Sequence, residues 1–126
     1  MKKVKTMILT LLLILWTVSA GAGDKLITVK LTVPDRTWTI AVDEVYKIGN
    51  ELWVIARLSQ KNGVMGASVI STIKTSVEID APDLPIVNFI IGKTWNWENQ
   101  EPYTFVDSLE QINKELETGE LLYQGI

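Results

Sequence analysis

The chain has 126 residues, a formal net charge of −3, no histidine and no cysteine. Without those two residue types it lacks the usual general base near neutral pH, the thiolate nucleophile, disulfide staples, and the common nitrogen and sulfur metal ligands. Most familiar enzyme mechanisms lose their machinery at this step.

Lys2, Lys3 and Lys5 precede the apolar run Met7 to Val18, and small residues follow at Ala20-Gly21-Ala22. That order predicts a cleavable signal peptide over 1–22 and a single domain over 23–126. The run falls short of the roughly 20 apolar residues that span a bilayer, so no stable membrane insertion is expected after cleavage. The reading implies export to the periplasm or the cell exterior. Cleavage removes three of the twelve basic residues, leaving nine against fifteen acids and a net charge of −6. An acidic balance of this kind argues against nucleic acid, whose binding needs basic patches.

In chain order, Leu26 to Val33 alternates, with Ile27, Val29, Leu31 and Val33 on one face, the period of a half-buried strand. Pro34-Asp35 supplies a turn, and Trp38, Ile40 and Val42 resume the alternation. Gly49-Asn50 marks the next turn after Val45 to Ile48. Glu51 to Leu58 carries Leu52, Val54, Ala56 and Leu58 on one face and Trp53, Ile55 and Arg57 on the other, which predicts a central strand covered on both sides. Asn62-Gly63 is a hairpin signal, so the following Val/Ile/Thr-rich run Ala67 to Ile79 is expected to pair antiparallel with it. Ile70 falls out of phase there and predicts a bend or bulge near Ser71-Thr72. Two prolines break the chain at Ala81 to Pro85, and the apolar run Ile86 to Ile91 ends at Gly92. Asp107 as N-cap, Glu110 three residues on, and Leu109, Ile112 and Leu116 at helical spacing predict one short helix stopped by Gly119. The fold class is therefore mainly β: an antiparallel two-layer β-sandwich with one short C-terminal helix, the immunoglobulin-like arrangement being one candidate topology.

Residues able to do chemistry are few. Ser71 or Ser76 with Lys74 reads as an ordinary solvated strand face. Glu98 with Glu101, or Asp80 with Asp83, are the clustered carboxylates that a glycoside hydrolase would need. The same loop acids with Asn96 and Asn99 offer oxygens to calcium, but no D-x-D-x-D-G spacing is present, and no metal or cofactor is expected.

The distinctive feature is the aromatic loop Gly92 to Tyr103. Trp95 and Trp97 share a face if the segment is extended, where their rings could meet a sugar or a partner's pocket. The competing reading buries them as a cap on the sandwich or against Leu109 and Ile112. Trp53 would be an apolar patch if its face is uncovered, and Gly63-Val64-Met65-Gly66 places an apolar pair at a loop tip. In size, class and apolar loop tips the chain resembles the chagasin-type inhibitors of cysteine proteases. Their Asn-Pro-Thr-Thr-Gly loop has no counterpart in the sequence, and no residue role is carried over.

These features predict an exported, non-enzymatic module that binds a protein, as an inhibitor in one version, through Trp95, Trp97, Asn96, Trp53, Val64 and Met65. A carbohydrate-binding module of the cell envelope is the alternative, with a small hydrolase using Glu98 and Glu101 ranked last.

Overall fold

The computed structural model describes residues 22–61 and 69–125. All of the expected signal segment except Ala22, together with the Asn62-Gly63 turn, Val64 and Met65, lies outside the described residues. Among the described residues, seven strands form two sheets: β1 (Ala22–Val33), β2 (Trp38–Ile48), β3 (Glu51–Gln60), β4 (Ser71–Pro82), β5 (Ile86–Ile91), β6 (Thr104–Val106) and β7 (Glu120–Gln124). A 3-10 turn at Leu109–Gln111 leads into the short helix α1 (Asn113–Glu117). One sheet is the antiparallel ribbon β1-β4; the other has the order β6-β5-β3-β2-β7.

The ribbon lies on one face of the five-stranded sheet. Ile27, Val29, Leu31 and Val33 of β1 meet Leu52, Val54, Ala56 and Leu58 of β3 and Trp38, Ile40, Val42 and Val45 of β2 in one apolar cluster. The opposite face buries Ile55, Phe89 and Ile91 under Ile112 and Leu116 of the helical segment. The prediction that β3 is central and covered on both sides therefore holds, because its two faces supply both clusters. β2 and β3 form a hairpin across the turn expected at Gly49-Asn50, where Gly49 at φ 56° and no positive φ at Asn50 give the sign pattern of a type II′ turn. A bulge at Asp43 shifts the β2 register between Val42 and Glu44 and lets Val45 follow Val42 into the same core.

Three sequence expectations about the strands are corrected. β4 does not pair with β3; it crosses to the other layer and pairs with β1 from Val33–Ser71 to Ala22–Pro82. That register is unbroken, so the bulge expected near Ser71-Thr72 is absent there, and Ile70 is 68% exposed just before the strand. The pairing is also not wholly antiparallel: β5 runs parallel to β3, and β6 parallel to β5. A parallel neighbour needs a long crossover. β4 in the other layer serves as the crossover from β3 to β5. From β5 to β6 the aromatic loop must fill that role, since Thr104 pairs back beside Phe89.

The helix is shorter than predicted and begins later. Asp107 does not cap it; instead the Asp107 N–H donates to Gln111 Oε1 at 2.7 Å. Gly92, where the crossover loop departs, sits at φ 103°, and a Cβ there would lie 3.0 Å from the Leu58 carbonyl oxygen. Both the left-handed backbone and the close approach demand glycine. Gly92→Ala is expected to cost about 2 kcal/mol, measured as a lower urea midpoint with an unchanged m-value.

Candidate functional site

Among the described residues no second strand pairs with β1 besides β4, and side chains of the crossover loop hold its other edge instead. Asn99 Nδ2 donates to the Thr32 carbonyl at 2.8 Å, and the Thr32 N–H donates to Glu101 Oε1 at 3.1 Å. The Lys30 N–H donates to the Tyr103 hydroxyl oxygen at 3.3 Å. Because the polar backbone groups of Thr32 turn away from β4, the Lys30–Lys74 and Thr32–Thr72 rungs are among the non-hydrogen-bonded pairs of the ribbon. Two side chains thus satisfy the ladder groups of Thr32 that would otherwise be left open on a sheet edge.

Asn99 also ties the loop to its aromatic base. Its Oδ1 accepts from Trp95 Nε1 at 2.9 Å, and its Nδ2 also reaches Glu101 Oε1 at 3.0 Å. The Trp95 ring meets buried Trp38 edge-on, centroids 5.2 Å apart at 79°. Trp97 is tilted against Trp95, centroids 5.5 Å apart at 35°, within the favourable range for aromatic pairs. The series Trp38, Trp95, Trp97 therefore runs from the core outward.

Two open depressions flank this loop. Thr32, Ile70, Trp97, Glu98, Gln100 and Glu101 line one of about 330 Å³. Lys93, Glu98, Asn99, Glu101, Tyr103 and Phe105 line the second, of about 340 Å³. Glu98 and Glu101 border both. Lys93 Nζ lies 4.6 Å from the Phe105 ring centroid and 5.6 Å from that of Trp95.

Burial pushes the Glu101 carboxyl up, but hydrogen bonds from the Asn99 side chain and the Thr32 backbone outweigh it and hold the group below its ordinary value of 4.5. A depressed folded-state pKa stabilises the fold above the unfolded value, and the contribution is lost as pH falls through the folded value. Glu101→Gln is therefore expected to flatten the fall of melting temperature with pH below 4.5, while leaving the neutral-pH dependence unchanged.

The residues singled out in the sequence separate into distinct places. Trp95 is half-buried and packs against the ribbon core rather than Leu109 and Ile112; Trp97 is half-buried at the wall of the first depression, and Asn96 is exposed. Trp53 stands apart, tilted on Phe89 at 4.7 Å in the cluster beneath the helix, with its Nε1 donating to Glu51 Oε1 at 3.2 Å. Glu98 and Glu101, weighed in the sequence as a hydrolytic pair, border the same two depressions, and Glu101 is engaged in holding the loop. Among the described residues, no group of three or more acidic side chains gathers to hold a metal ion.

Sequence reasoning did not find Thr32 or Ile70. Thr32 carried no signal beyond the polar face of a strand. Ile70 did: an isoleucine out of phase with its strand is a candidate for exposure as well as for a bulge. Comparison with protein-family models, with characterised proteins and with solved structures finds no match.

Proposed function

We propose that the protein is an exported, non-enzymatic module that binds a protein partner with the Trp97 side of its crossover loop. The observation that carries this reading is the division of labour between the two tryptophans: Trp95 is tied inward through Trp38 and Asn99, whereas Trp97 presents its ring to an open depression. An amphipathic aromatic held by a rigid base, ringed by polar groups and one exposed isoleucine, is the composition of an interface anchor.

The test uses the purified chain as bait against an extract of its own envelope or medium, with Trp97→Ala as the matched control. Trp97→Ala is expected to abolish capture while changing stability by less than about 1 kcal/mol, because the ring lies on Trp95 rather than beneath it. Capture that survives the substitution would sink the proposal. A Trp97-dependent fluorescence response to neutral glycans, with no protein captured, would move the reading to the carbohydrate-binding alternative, which Gln100 and the Thr32 hydroxyl would suit.

A further inference from the structure

We infer that the Trp97 depression receives the guanidinium of an arginine side chain on the partner, an inference that rests on the binding reading above. The two depressions share Glu98 and Glu101 but differ in what faces those acids. In the second, the chain's own Lys93 already lies over the Phe105 and Trp95 rings beside them. In the first, the same two acids line the depression together with Trp97, and no basic side chain occurs among the described lining residues. One depression supplies its own cation on an aromatic face; among the described residues the other sets the acids and the ring together without one.

Three further features favour arginine over a neutral group. A guanidinium can lie flat against an indole while its N–H groups reach carboxylates in its own plane, which a lysine ammonium cannot do. Ile70, 68% exposed at the rim, offers apolar surface to the methylene stem. A volume of about 330 Å³ lies at the small end of ligand sites and suits one long side chain.

The test is a titration of the full chain followed by the indole N–H signal of Trp97 and the side-chain amide of Gln100 in two-dimensional NMR. The probes are Nα-acetyl-L-arginine N-methylamide and its lysine and norleucine counterparts. The arginine probe is expected to shift both signals with a Kd of order 1–10 mM, about fivefold or more tighter than norleucine and tighter than lysine. Glu98→Gln, an exposed position, is expected to weaken arginine binding about threefold to tenfold, and added salt to weaken it further. Norleucine or lysine matching arginine, or arginine leaving Trp97 unmoved, overturns the inference. Partner capture that needs Trp97 yet is indifferent to Glu98→Gln and to competing arginine overturns this inference alone; capture that does not need Trp97 overturns the binding reading beneath it.

Discussion

Trp95→Ala is expected to lower the stability of the fold by about 3 kcal/mol, where Trp97→Ala, two residues away, costs little. The difference follows from what each ring touches. Trp95 is half-buried against the ribbon core, edge-on to Trp38, and its Nε1 is a donor to Asn99. Removing it opens a void beside Trp38 and leaves Asn99 Oδ1 without its partner, so transfer and cavity costs add to the loss of a hydrogen bond. Trp95→Phe separates the two parts: the ring contact is largely kept and the donor is lost, with an expected cost of about 1 kcal/mol. Urea midpoints for the three variants provide the measurement. Equal destabilisation by Trp95→Ala and Trp97→Ala would mean that the two rings share one structural role, and the recognition role given to Trp97 would fall with that result.

Much of the fold was legible because it rests on local periods. The alternation of β1, the face pattern of β3 and the Gly49-Asn50 turn each encode burial or backbone sign residue by residue, and each is found where the sequence places it. Partnership between strands was not legible. Asn62-Gly63 is a local turn signal and says nothing of which sheet the next strand joins. The alternation of Ile73, Val77, Ile79 and Ala81 would serve a strand in either layer, and the edges of β3 are taken by β2 and β5. The parallel steps are equally silent locally, although the twelve residues from Gly92 to Tyr103 are the length a crossover needs. At the site, the aromatic loop stood out by composition. The inward role of Trp95 and the outward role of Trp97 did not, because they depend on Trp38 and Thr32, which lie more than fifty residues earlier in the chain.

Leu31→Ala is expected to cost about 3 to 4 kcal/mol and to loosen the candidate site without touching it. Leu31 is fully buried between the ribbon and the five-stranded sheet, where a truncated side chain leaves a void that close-packed neighbours refill only in part. Its chain neighbours Lys30 and Thr32 supply the backbone groups to which Tyr103, Asn99 and Glu101 are bound. Weakening the seat of β1 at this point therefore weakens the anchor of the crossover loop. Native-state hydrogen exchange reads both effects: the Lys30 and Thr32 amides, protected by loop side chains, are expected to exchange faster together with the Leu31–Ile73 rung of the ribbon. Trp95→Ala should instead release the Thr32 amide while the Leu31 and Ile73 amides keep their protection relative to global unfolding. A cost below about 1 kcal/mol for Leu31→Ala would mean that the ribbon does not pack as a layer on the sheet, and the edge on which the Trp97 depression is built would then lose its physical basis.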